Sequence, residues 1–267
     1  MSIVSPAPMT DADTFGAPRR ARLGRYFFWQ LHDYMLHQAP ATMVVVAMYA
    51  YLTLAPILNG SLTNGRRYTV ATLPDEIVQG YFADLLGSLL LLGTLFATNG
   101  IVSTDRKSGY SRFYFAKPVS PPRFYANAFV AHGTGLMLVT VVLLGAFALF
   151  VRPLLPVSVL PVVAAMYIAY GGVGFLLSTI WRFDWLSLVT VAVISSLGWA
   201  MWGEDPGIRG WLVHLLPPMH RAGALFAYVA GTSHTFPWGA QVWLACYGVA
   251  CFLVGLWILR VRNIATQ

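Results

Sequence analysis

Apolar runs alternate with short polar breaks along most of the chain. Gly80–Ser103 and Tyr125–Val151 are each long enough to cross a bilayer, which takes ~20 apolar residues. The first holds one charge, Asp84, and the second holds none. Four further runs have the same character: Pro40–Leu58, Val157–Trp181, Trp185–Trp202 and Trp238–Leu259. A polar loop, Asn59–Gln79, separates the first two spans, and the tight turns "RPLLP" and "RFD" punctuate the later ones. The expected fold is an all-α polytopic membrane protein with six transmembrane helices.

The flanks read differently. Over residues 22–39, Phe27, Leu31, Tyr34 and Met35 recur at helical spacing and form one apolar stripe. Arg22, Arg25, His32 and Asp33 supply polarity elsewhere, so an amphipathic helix lying in the membrane interface is expected. Residues 1–21 are expected to be a disordered cytoplasmic tail, because Met1–Pro18 is rich in Pro, Asp, Thr and Ala and has no apolar core of a secretory signal. Residues 40–267 form the expected six-span domain. Within it, residues 203–237 carry two apolar pieces, Ile208–Leu216 and Ala222–Ala230, split by Pro217 and Pro218. Each piece covers about half the hydrocarbon core. A short re-entrant helix pair before the last span is expected, with Pro217 and Pro218 at an outer gate.

Composition sharpens the class. The chain is 57% hydrophobic and 10% charged, which leaves little for a soluble domain. A net charge of +7 invites a nucleic-acid partner. The basic residues instead cluster at the ends of apolar runs, so none is expected. With the N-terminus inside, 12 of the 17 Lys and Arg residues face the cytoplasm. Both termini are therefore expected to be cytoplasmic, in the cell inner membrane. Trp181, Trp185, Trp199, Trp202, Trp238 and Trp257 fall near span ends, as an aromatic belt requires. Cys246 and Cys251 are five apart on one helix, facing different ways, so no local disulfide is expected.

Much familiar chemistry is missing. The chain has no Gly-x-x-x-x-Gly-Lys-[Ser/Thr] phosphate loop, no His-Glu-x-x-His pair and no Gly-x-Ser-x-Gly elbow. No catalytic residue and no cofactor of its own is expected. The glycines of "YGGVG", Tyr170–Gly174, lie inside a span and suit close helix packing. His214, His220 and His234 have spacings that fit no compact metal motif, so no metal site is expected. Asp84 and His132 are ionisable groups inside spans and hence candidates for a translocation path. The plainer alternatives are a hydrated interfacial carboxylate and a neutral ring bonded across helices.

One stretch stands apart: "TDRKSGYSRFYFAKPVSPPRFYANA", Thr104–Ala128. Five of the 17 basic residues lie in it, including both lysines. A short helix over Asp105–Ala116 would take Thr104 as N-cap and Asp105 in its first turn, and Pro118 would end it. Membrane orientation alone explains a basic inner loop. It does not explain Tyr110, Phe113, Tyr114 and Phe115, which call for a partner or a lipid surface.

Asp105 with Gly109 four residues later, then "PVS" at Pro118–Ser120 between the second and third spans, resembles the permease subunit of ABC-2 type transporters. The amphipathic first helix, six spans and the Pro-split pair around "LLPPMH" agree with it. The family usually has Glu where Asp105 stands and often Thr where Tyr110 stands. The resemblance implies a permease that pairs with a second copy or paralogue and exports its substrate. A separate ATP-binding subunit, holding ATP and Mg, would dock on a coupling segment over 104–123. The coupling residues would be Asp105, Arg106, Lys107, Gly109, Tyr110, Arg112, Phe113, Phe115 and Lys117. Substrates in the family include drugs, polysaccharides, lipids and peptides. Two other readings compete: a membrane-embedded lipid-modifying enzyme, and a non-transporting membrane anchor subunit. The first needs convergent acid/base residues, of which only Asp84 and His132 offer themselves, on different helices.

Overall fold

The computed structural model describes residues 19–60, 69, 72–98, 101, 120–150, 159–180, 184–231 and 233–261. Every regular element among them is helical. In chain order these are α1 (Arg19–His37), α2 (Ala39–Leu58), α3 (Asp75–Thr98), α4 (Pro121–Phe150), α5 (Val159–Ile180), α6 (Asp184–Trp202), α7 (Ile208–Leu215), a single 3-10 turn (Met219–Arg221), α8 (Ala222–Val229) and α9 (Trp238–Val261). Five stretches are long and apolar enough to cross a membrane: Gly24–Leu58 and the helices α3, α4, α5 and α9. The apolar part of α6, Ser187–Trp202, is shorter. The described residues are all-helical, and five stretches of this length and apolarity fit a polytopic membrane protein.

Local signals set the helix ends. Pro40 occupies the first turn of α2, where its missing N–H costs nothing, and Gln38 marks the break from α1. Gly60, with φ of 82°, follows the end of α2 in the left-handed conformation that glycine adopts freely. Asp75 and Glu76 lie in the first turn of α3 and suit its positive end. α4 begins at Pro121, so the last residues of the expected segment 104–123 are already helical.

Contacts between helices give their directions. Asn127 bonds Gln30 and His132 meets Tyr34, so α1 runs the same way as α4. The expected interfacial helix over 22–39 thus has one face buried against a span. α2 runs against α3, with the Tyr81 hydroxyl donating to Ala50 O at 2.6 Å. α5 is central, touching α3, α4, α6, α8 and α9. It is parallel to α9: Gln241 Nε2 donates to Pro161 O, 80 residues away, and Gly248 lies on Ile168 at the same offset. Tyr26, Ile101, Phe124, Tyr125, Phe175 and Leu259 pack together. The start of α1, the end of α3, the start of α4 and the end of α9 therefore share one end of the bundle.

Candidate functional site

The coupling residues Asp105, Arg106, Lys107, Gly109, Tyr110, Arg112, Phe113, Phe115 and Lys117 lie outside the described residues. The two anchors of their segment are described. Ile101 N–H donates to the carbonyl oxygen of Thr98, the last residue of α3, at 3.3 Å. Ser120 O accepts from the backbone of Arg123 and Phe124, each at 3.1 Å, and opens α4. Ile101 and Phe124 belong to the cluster that also holds Tyr26 and Leu259.

A polar seam runs inward from that end. Asn127 Nδ2 donates to Gln30 Oε1 at 2.7 Å, and Gln30 is buried. One to two turns further along α4, the buried His132 places Nδ1 2.6 Å from Ala97 O on α3. A carbonyl only accepts, so this bond puts the imidazole proton on Nδ1. The other flank of the ring meets Tyr34, with centroids 5.3 Å apart. Tyr34 reaches this depth because Gly135 faces it: a Cβ there would sit 2.2 Å from the Tyr34 ring. From α5, the Tyr167 hydroxyl donates to Phe129 O at 2.7 Å. The seam is neutral. Its nearest carboxylate on α1, Asp33, is exposed and pairs with His37 at 3.2 Å. The arrangement ties four helices together and holds no acid/base pair.

Asp84 does not join it. The residue is exposed on α3, thirteen positions before Ala97, which is about 20 Å along the axis. Asp84 and His132 therefore lie on no common wall. Among the described residues no group of three His, Cys, Asp or Glu side chains could hold a metal ion. His214 and His220 meet at Trp199, and His234 is exposed apart from them.

Pro217 and Pro218 are both buried, in a segment gripped from three sides. Prolines cannot supply backbone donors, and the end of α7 leaves carbonyls open. Side chains fill the gap: Ser195 of α6 donates to Pro217 O, and the Tyr247 hydroxyl of α9 donates to Leu215 O at 2.9 Å. His220 stacks on Trp199 at 3.6 Å and 5°, with His214 edge-on to the same ring at 5.1 Å. Arg221 lies 5.1 Å over Trp243. Desolvation, then the charges of Arg221 and His214, hold the His220 imidazole below its usual pKa. Phe226 reaches Gly87 in α3. Ser195 is seven residues from the end of α6, Tyr247 nine into α9 and Gly87 twelve into α3. Those offsets are about 10, 14 and 18 Å along the axes. Leu215–Phe226 thus sits between the long helices rather than above them.

Sequence reasoning named the prolines and missed Ser195 and Tyr247. The available signal was the helix end that two consecutive prolines force, which leaves nearby carbonyls such as Leu215 O without a helical donor. No protein-family model, curated protein or solved structure matches this chain.

Proposed function

We propose that the chain is the permease subunit of an ABC-2 type ATP-driven exporter. It crosses the cell inner membrane six times with both termini in the cytoplasm. It pairs with a second copy or a paralogue, and takes its power from a separate subunit that binds ATP and Mg. One observation carries the reading. The Asp105–Gly109–"PVS" motif lies on a segment whose anchors, Ile101 and Phe124, pack with Tyr26 and Leu259. A motor docked there would meet the permease at the end where α1 starts and α9 stops, which the basic residues also mark as cytoplasmic.

In this mechanism Asp105 sits in the first turn of a short helix capped by Thr104 and suits its positive end, and Gly109 permits close backbone approach. Tyr110, Phe113 and Phe115 supply buried contact with the ATPase. Arg106, Lys107, Arg112 and Lys117 steer an acidic rim on it, so association weakens with salt. α7, the 3-10 turn and α8 act as the re-entrant pair, with Pro217 and Pro218 at the outer gate. The depth of Ser195, Tyr247 and Gly87 supports that role.

The test uses the tagged chain purified from its native membrane in mild detergent. A phosphate-loop ATPase is expected to copurify and to hydrolyse ATP. Gly109→Trp is expected to lose that ATPase while still inserting, whereas Arg66→Glu in the opposite loop retains it. Wild-type copurification and transport by Gly109→Trp would sink the coupling role. Absence of any ATPase from the wild-type complex would sink the transporter reading as a whole.

A further inference from the structure

A cavity of about 270 Å³ lies between α2, α3 and α4. Tyr81, Phe82, Leu86 and Leu89 of α3 form its buried floor. Val46 of α2 and Leu144 of α4 also line it. The exposed Ala47 and Tyr51 stand at its mouth with the half-exposed Ala146.

Its lining offers almost nothing to water. The Tyr81 hydroxyl is spent on Ala50 O, and Thr140 Oγ1 donates to Leu136 O at 2.8 Å. No charged side chain lines it. An apolar cavity of this kind stays dry and takes apolar guests, and leaving it empty forfeits packing. Its mouth is continuous with the exposed apolar faces of α2, at Val44, Met48 and Leu52, and of α4, at Leu138, Val142 and Leu149. In a membrane-embedded chain those faces meet lipid tails. The cavity is a recess in that same surface.

We propose that this recess is a binding site for one hydrocarbon tail of a bilayer lipid, recognised by its tail and not by its headgroup. The absence of lining charge sets the second half of the statement. The site is independent of the transporter assignment, since it needs only the bilayer and the three helices.

Delipidated protein in detergent provides the test. Dioleoyl phosphatidylcholine and dioleoyl phosphatidylglycerol are each expected to raise Tm by a similar amount, about 5 °C. Ala50→Phe fills the recess, so it starts with a higher Tm and gains less from either lipid. Ala146→Trp serves the same purpose if Ala50→Phe does not fold. A phosphatidylcholine with a diazirine in its tail is expected to label peptides covering 46–54, 81–89 or 140–147 in the wild type and to lose that label in the filled variant. Label that persists in the filled variant, or that falls on α6 and α9 instead, overturns the proposal. So does a rise in Tm that follows headgroup charge. Label present in monomeric detergent samples but absent from dimers in nanodiscs overturns it in favour of a second copy of the chain.

Discussion

Where α5 meets α9 the backbones touch; where α2 faces α4 a cavity of about 270 Å³ keeps the side chains apart. In the tight seam a Cβ at Gly172 would lie 2.1 Å from Gly248 O, and one at Gly248 would lie 2.2 Å from Ile168 O. At Gly255 it would lie 2.8 Å from the Phe175 ring. On the loose side the helices meet through large side chains and through single bonds such as Tyr81 to Ala50 O. Lipid tails are as apolar as leucine, so no hydrophobic drive holds helices together inside a bilayer. Close contact over a long stretch must do it, and glycine permits that contact. The difference assigns α5 and α9 to a fixed half. It leaves α2, at the far end of the α1–α2 arm, as the helix held beside a cavity by side chains.

The largest effect should come from breaking the tight seam. Gly248→Leu places a side chain where the α5 backbone already is, with no flexible neighbour to yield. The expected cost is about 3 kcal/mol or more, a fall in Tm of roughly 10 °C, read by thermal melting in detergent. Gly145→Leu is the control, because nothing lies within 4 Å of a Cβ at that position. A wild-type melt for Gly248→Leu would mean that α5 and α9 are no more rigid a unit than α2 and α4.

A smaller effect should follow from cutting the tie between α1 and α4. Asn127→Leu removes the bond to Gln30 and leaves a buried amide without its partner. About 1–2 kcal/mol should be lost, or ~5 °C in Tm. Adding Gln30→Leu should restore part of it, since two apolar groups in place of a bonded pair can be nearly neutral. Additive losses in the double variant would show that the pair does not hold the arm.

Sequence reading recovered what apolar length and missing donors can encode. α2 and α9 coincide closely with the runs Pro40–Leu58 and Trp238–Leu259. The glycines at Tyr170–Gly174 were legible as close packing, but Gly248 as the partner of Gly172 was not, because hydropathy carries no information about which helices meet. On α1 the stripe through Phe27, Leu31, Tyr34 and Met35 is the inward face, with Tyr34 fully buried. Gln30 is buried beside it, which a polarity pattern cannot foresee when the partner, Asn127, lies 97 residues away. The same holds in the Pro-split segment. The Pro217–Pro218 break is local, whereas the donors that make it tolerable come from 22 and 32 residues away. Asp84 and His132 look alike in sequence as ionisable groups in apolar runs. They differ because one points out of the bundle and the other into it.

The smallest effect concerns the Pro-split segment, which leans on α9 of the fixed half and on α6. The groups set against His220 are Trp199 on α6, His214 on α7 and Arg221 on its own element. None is a carboxylate. Desolvation first, then Arg221 and His214, lower the imidazole pKa below its ordinary 6.5. The folded chain therefore binds this proton more weakly than the unfolded chain does. Stability from the neutral stack on Trp199 is fully present above the ordinary value and is lost as pH falls from there through the lower folded value. Tm of the wild type should thus fall more between pH 7.5 and 5.5 than Tm of His220→Gln. The histidines away from Trp199 act in both proteins and cancel in the difference. His220 is half-buried and His214 beside it is exposed, so solvent screens the repulsion and the difference should be smaller than either shift above. An equal fall in both proteins would remove His220 from the linkage and leave Ser195 and Tyr247 as the hold on the segment. A larger fall in the variant would reverse the sign, and would mean that attraction between a protonated ring and the Trp199 face outweighs repulsion from Arg221 and His214.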